Sequence, residues 1–270
     1  MFRPDVACWG ALGLAAVGTH PEKIDRARQS LVRIQQEDGR VPISPTHPEV
    51  CWPTALAVLA WEGAPDYVRP QERAIRFLLD VDHVRPAGGS ESSLAPDEQT
   101  GGWPWTMGTH SWVEPTAYSL LALQASGNVD HRRCREAVQM MLGRQFPEGG
   151  WNGGETITLG RVLRPMPETS GMALAALAGL VDRETIQPSF DYLRSEWVEM
   201  ITPLSVAWTV LAFRAWGEPL DGAKDRIVQV LDRKRPFRPL GTVALSLLLL
   251  AWHVDTDLAG FVRRTGSRQA

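Results

Sequence analysis

The chain has 270 residues, 44% hydrophobic and 22% charged, with a formal net charge of −3. With no basic run and no stripe of basic and aromatic residues, this balance excludes a nucleic-acid-binding protein. The length suits one large domain or two small ones, so the internal organisation has to decide.

The first apolar run ends near Val17, after a single basic residue, Arg3. It has the outline of a short signal peptide, but it matches later segments of the chain and is expected to be a core helix over residues 8–15. Small-residue apolar helices follow at 51–60, 114–123, 168–177, 205–212 and 242–249. The interval of 37 residues from Thr169 to Val206 recurs from Val206 to Val243, which marks a structural repeat. Between these segments lie amphipathic stretches at 21–35, 70–79, 130–142, 183–193 and 222–231. The turns that link apolar to amphipathic helices often carry glycine, as at Gly18, Gly63, Gly127 and Gly217. The longest other apolar stretch, 243–252, is roughly half the ~20 residues a bilayer-spanning helix needs.

A helix apolar on nearly every side has to be buried, whereas an amphipathic helix can face water. The expected fold is therefore all-α: an (α/α)6 toroid of about six helical hairpins, apolar inside and amphipathic outside. The open alternative is a solenoid of hairpins; uniformly apolar inner helices favour closure. One domain over 1–270 is expected, with long return loops at 81–112 and 146–167. In an alternating ring both return loops lie at one end. Loops of this length are uncommon unless functional or disordered, so that end is the candidate mouth.

Three cysteines, Cys8, Cys51 and Cys134, show no Cys-x-x-Cys spacing and leave one over from any pairing. Reduced thiols and a cytoplasmic protein are expected. Eleven tryptophans stand against three tyrosines and seven phenylalanines, which suits repeated packing motifs or an aromatic-lined cavity.

The segment from Glu136 to Gln145, followed by Gly149-Gly150-Trp151, resembles the QW repeat of squalene and oxidosqualene cyclases. Partial copies are 27–35 with Asp38-Gly39, and 74–79 with Gly101-Gly102-Trp103. The resemblance implies the toroid of terpenoid cyclases and protein prenyltransferase β subunits. In that motif Gln caps a helix end and Trp packs on the neighbouring hairpin. Class II terpene cyclases carry Asp-x-Asp-Asp-Thr-Ala at the start of an inner helix, and its middle Asp is the proton donor. Here the matching stretch is Trp112-Val113-Glu114-Pro115-Thr116-Ala117, so the resemblance places Glu114 at the acid position, without the flanking carboxylates. The alternative role for Glu114 is structural, a carboxylate favoured at a helix N-terminus.

Glu168 and Asp97 are further candidate acids. Trp52, Trp103, Trp105, Trp112, Tyr118 and Trp151 are candidate ligand-lining aromatics, whose ring faces would stabilise cations. Prenyltransferases hold zinc on an Asp-x-Cys and a His, which Glu49-Val50-Cys51 and His110 match loosely. No cofactor is expected on balance; zinc or magnesium is the alternative. The resemblance implies an isoprenoid ligand and protonation-initiated cyclisation. Two other readings stay open: a non-catalytic lipid-binding module or subunit of a prenyltransferase-like assembly, and a carbohydrate-active toroid using Glu114, Glu168 and Asp97. Expected partners are a small-molecule isoprenoid and, as alternatives, a second copy, a helical partner subunit or a membrane surface contacted peripherally.

Overall fold

Proline opens four of the six apolar helices, where its missing N–H costs nothing and its fixed φ suits the first turn. These helices are α1 (Pro4–Val17), α3 (Pro53–Trp61), α7 (Pro167–Leu177) and α9 (Pro203–Ala215), joined by α5 (Val113–Ala125) and α11 (Thr242–His253). The amphipathic set is α2 (Pro21–Ile34), α4 (Val68–Asp80), α6 (Arg132–Gly143), α8 (Gln187–Trp197) and α10 (Ala223–Lys234), with a last helix, α12 (Leu258–Ser267). The computed structural model describes residues 2–80, 101–154, 156–158, 161–234 and 239–267.

Burial separates the two sets. Every residue of α3 is buried, and so is nearly all of α7 and α9, whereas α2 buries only Ile24 and Leu31. The apolar helices pack in the cyclic order α1, α3, α5, α7, α9, α11 and back to α1, so the inner ring closes. Closure depends on small residues. A Cβ on Gly13 of α1 would stand 2.8 Å from Ser246 Cα on α11, and one on Gly171 of α7 would stand 2.7 Å from the Trp208 carbonyl carbon on α9.

Each inner helix turns tightly into an outer one. Gly18 and Gly127 sit in these turns at φ 71° and 73°, a left-handed backbone that glycine adopts without a Cβ penalty. The stretch expected to be helical over 183–193 instead opens as a 3₁₀ turn, Arg183–Ile186, and becomes α-helical at Gln187, with Pro188 at its start.

Repeated hydrogen bonds tie successive hairpins together. The Trp103 N–H donates to Thr116 Oγ1 at 2.8 Å, and the Trp151 N–H donates to Ser170 Oγ at 2.8 Å. The indole N–H groups of the same residues donate backwards, to the carbonyls of Leu78 at 3.0 Å and Met141 at 2.6 Å. Each ring is thus clamped between the end of one outer helix and the start of the next inner helix. In the first return segment Val41 takes the same place, donating to Thr54 Oγ1 at 2.9 Å. Gln35 Nε2 reaches the Pro70 carbonyl of α4, and Gln145 Nε2 reaches Ser189 Oγ of α8, both at 2.8 Å.

The final helix does not complete the outer ring. It packs on α1, α3 and α5 together, which an outer helix beside α11 could not do. After α11 the chain bends by 87°, and α12 lies across the C-terminal ends of those inner helices as a floor. Leu258, Ala259 and Val262 are buried there. Among the described residues no single helix is long and apolar enough to cross a membrane.

Candidate functional site

Helices α1, α5 and α9 are alternate members of the six-membered ring, so their side chains meet only across its axis. Trp9, Tyr118 and Trp208 do so: the ring centroids lie 5.9 Å apart for Trp9 and Tyr118, 5.7 Å for Trp9 and Trp208, and 6.3 Å for Tyr118 and Trp208. Offset and edge-on geometries of this kind are the favourable ones for aromatic pairs. Trp52, just ahead of α3, stacks on Tyr118 at 6.0 Å, and Trp105 meets Trp52 edge-on at 5.2 Å. Aromatic rings therefore fill the axis of the toroid.

One helical turn nearer the N-terminal ends lies an acidic layer. Asp5 precedes Trp9 by four residues, Glu114 precedes Tyr118 by four, and Glu168 precedes Met172 by four. This spacing stacks each acid above a bulky core residue on the same helix face. All three carboxyls act electrostatically on the Tyr118 hydroxyl, which burial and their charge hold far above its ordinary value.

The acids are not equivalent. Asp5 is held by Arg3, whose Nε and Nη2 donate to its two oxygens at 2.9 Å and 2.7 Å, the bidentate fork that guanidinium favours. Glu114 and Glu168 are half-buried and make no hydrogen bond or ion pair with any described residue. Burial raises Glu114 above the usual carboxylate range. Burial, and then the neighbouring Glu114, push Glu168 from 4.5 to about 7. Burial thus disfavours the charged form of both carboxyls, and Glu168 feels the charge of Glu114 as well.

The return segments meet around this end. The Met107 N–H donates to the Glu49 carbonyl at 2.8 Å, the Val113 N–H to the Gly153 carbonyl at 2.9 Å, and Arg144 Nη1 to the Ser111 carbonyl at 2.7 Å. Trp112 lies between two of them, tilted on His110 at 4.8 Å, with its ring edge so close to Gly154 that a Cβ there would stand 2.8 Å away.

Of the aromatics expected to line a ligand site, Trp52, Trp105 and Tyr118 come together beside the acids. Trp103 and Trp151 are corrected. They are 3% and 0% exposed, and their polar N–H groups are consumed by the hairpin clamps, so they are wall and not lining. Asp97 lies outside the described residues. The loose zinc set is also corrected. Glu49 and His110 are exposed while Cys51 is buried, its thiol pushed up to about 11 by burial, which disfavours the thiolate a metal needs. Among the described residues no three His, Cys, Asp or Glu side chains are grouped so as to hold a metal ion. All three cysteines are free and buried.

Asp5, Trp9 and Trp208 are absent from the sequence-based candidates. The step of four from Asp5 to Trp9 on α1 repeats that from Glu114 to Tyr118 on α5, a signal legible only once those helices are known to face each other across the ring; nothing local marked Trp208.

The fold is an all-α toroid of the kind seen in a terpene cyclase. No protein-family model matches the chain, and no curated protein matches it. Solved structures do. The chain is similar to a type II terpene cyclase, MstE from Scytonema, in a variant bound to its product merosterolic acid A: TM-score 0.57, 17% identity, covering 98% of this chain and 80% of that one. Variants of the same cyclase bound to the substrate geranylgeranyl dihydroxybenzoate match with TM-scores of 0.57 and 0.53, at 17% and 16% identity. These cover 98% of this chain in both pairings, and 78% and 79% of the other.

Proposed function

We propose that this chain handles isoprenoids as a class II terpene-cyclase-like enzyme, with Glu114 as the general acid. The observation that carries this reading is the Glu114–Glu168 pair, partly buried and without a partner among the described residues, one helical turn from the Tyr118 ring on which Trp52 stacks. The fold shared with a cyclase crystallised with a prenylated substrate supports it.

The chemistry follows from the electrostatics. Burial disfavours the charged form of Glu114 and so favours the protonated carboxyl that a general acid needs. The same shift makes it a weaker acid, so it suits a basic acceptor, such as an epoxide oxygen, better than an unactivated alkene. Proton transfer from the Glu114 O–H to the epoxide oxygen breaks a C–O bond and leaves a cationic carbon. Aromatic faces beside it stabilise that charge. Loss of a proton from the final cation ends the reaction, and its return to the Glu114 carboxylate restores the acid. Because the rings of Trp9, Tyr118 and Trp208 occupy the axis, the reacting end of the ligand sits at the mouth, under the return segments 101–112 and 146–154, and not deep in the ring.

The test is Glu114→Gln assayed with prenyl substrates and their terminal epoxides. Turnover is expected to fall at least ~100-fold, the scale of a lost general acid, while ligand quenching of tryptophan fluorescence keeps its midpoint. Unchanged product formation in that variant removes Glu114 from the mechanism.

A second reading, ligand binding without catalysis, is favoured by one feature: among the described residues neither glutamate has a hydrogen-bond partner to orient its proton. Saturable fluorescence quenching with no product from the unmodified protein would select it.

A further inference from the structure

The outer helices are shared unevenly round the ring. Helix α2 packs on α1 and α3, α4 on α3, α6 on α5, α8 on α7, and α10 on α9 and α11. Because α12 turns under the ring, no described helix covers the outer side of the seam between α11 and α1. The side chains there are nonetheless apolar. Leu245 of α11 and Val17 of α1 are 41% and 43% exposed, with Leu14, Leu249 and Trp252 partly exposed beside them. A contiguous apolar surface rimmed by polar residues marks a contact site.

This surface is flat and large enough for a partner. Helices α2 and α10 each sit in a groove between two inner helices. At a uniform interaxial spacing of ~9 Å, two such helices on either side of an uncovered groove lie in the plane of the inner pair beneath it. The face is thus four helices wide, in the order α2, α1, α11, α10. These helices have 12 or 14 residues. Rising ~1.5 Å per residue, they make a face of roughly 700 Å², within the about 600–1,000 Å² that each partner contributes to a stable complex. Its two edges differ in charge. On α2, Arg28 Nε donates to the Ala60 carbonyl of α3 at 2.6 Å, and Asp25 accepts from the Tyr67 hydroxyl. The opposite flank, with Lys23, Ser30 and Ile34 and with Arg26 beyond them, therefore turns to the flat face. On α10, Lys224 lies over the Trp252 ring of α11 at 5.3 Å. The flank next to it, Val228 with Asp225 and Asp232, turns to the same face, and all three are exposed.

We propose that this face is a homodimer interface, on which a second copy lays the same four helices about a two-fold axis parallel to the ring axis. That axis sets α2 of each copy on α10 of the other, bringing Lys23 and Arg26 toward Asp225 and Asp232. A two-fold axis lying across the helices would instead set α2 on α2 and α10 on α10, like charge on like, which is costly. The apolar α1–α11 seam of each copy meets its equivalent, as an isologous contact requires, and Leu245 leaves water at its centre. The inference goes beyond the proposed reaction, because it holds whether or not the mouth turns a ligand over.

Sedimentation velocity of the full chain over a concentration series tests it. A dimer is expected at micromolar concentration, and Leu245→Asp should weaken it at least ~10-fold. Two further variants change exposed positions only: Lys23→Glu with Arg26→Glu, and Asp225→Lys with Asp232→Lys. Each alone should dimerise at least ~10-fold more weakly. An equimolar mixture of the two should recover a heterodimer, because each exchanged edge then meets its opposite charge. Far-ultraviolet circular dichroism of every variant is expected to match the unmodified protein. A monomer throughout the series, a dimer untouched by Leu245→Asp, or charge variants that fail to rescue each other on mixing would each overturn the proposal.

Discussion

Glu168 and Glu114 stand within one acidic layer, yet only Glu168 is pushed as far as about 7, because it feels its neighbour's charge as well as its own burial. A carboxyl whose folded value lies above its unfolded one binds more protons in the native state. Its contribution to stability is complete below about 4.5 and is lost as pH rises through about 7. Glu168→Gln should therefore melt with the unmodified protein in acid and increasingly above it as pH rises through that window, as scanning calorimetry at several pH values will show. A difference that grows toward low pH would contradict the assignment. Tyr118 carries the converse expectation. Its ring is held by three aromatic neighbours, but its hydroxyl has no hydrogen bond to a described residue. Tyr118→Phe should change stability by less than about 1 kcal/mol while altering ligand affinity, which thermal melts and fluorescence titration separate.

Among the elements, the clamps and the close helix contacts carry the architecture. Trp151 contributes an indole N–H to Met141 and full burial to the seam between α6 and α7. Trp151→Phe should cost about 1–2 kcal/mol and Trp151→Ala about 3–5 kcal/mol in denaturant titration. The α1–α11 seam tolerates no side chain at Gly13, where a Cβ would press on Ser246 backbone at 2.8 Å. Gly13→Val should lose roughly 1–3 kcal/mol or more through overpacking. An equal loss at Gly18, whose added Cβ would meet nothing within 4 Å but whose φ is positive, would indicate backbone strain and not ring closure as the cause.

For the molecule as a whole, α12 decides what kind of container the toroid is. It closes the end opposite the acids by spanning α1, α3 and α5, leaving the N-terminal ends of the inner helices as the accessible side. Removing residues from Asp257 onward uncovers Leu258's and Val262's partners. Burial of two such side chains is worth about 3–6 kcal/mol, so the melting temperature should fall by roughly 10 °C, with dye binding to the opened floor. An unchanged melt would mean that the floor is not part of the core.

Periodicity alone determined the inner and outer sets, because helices apolar on all sides have one stable location, and the short glycine turns determined which helices are neighbours. It also put Glu114 and Glu168 at helix starts, since a carboxylate one residue from a helix-opening proline is a local signal. What local signals could not carry was convergence. That Trp9, Tyr118 and Trp208 meet on the axis follows from three helices being alternate members of a closed ring. That Trp103 and Trp151 turn into the wall depends on the carbonyls of Leu78 and Met141 that their indoles reach, while Trp52 and Trp105 pack with Tyr118. The same amphipathic pattern that would have fitted α12 for the outer ring also fits a floor. The 87° bend after α11, and three inner helices presenting their ends to one apolar face, selected the second.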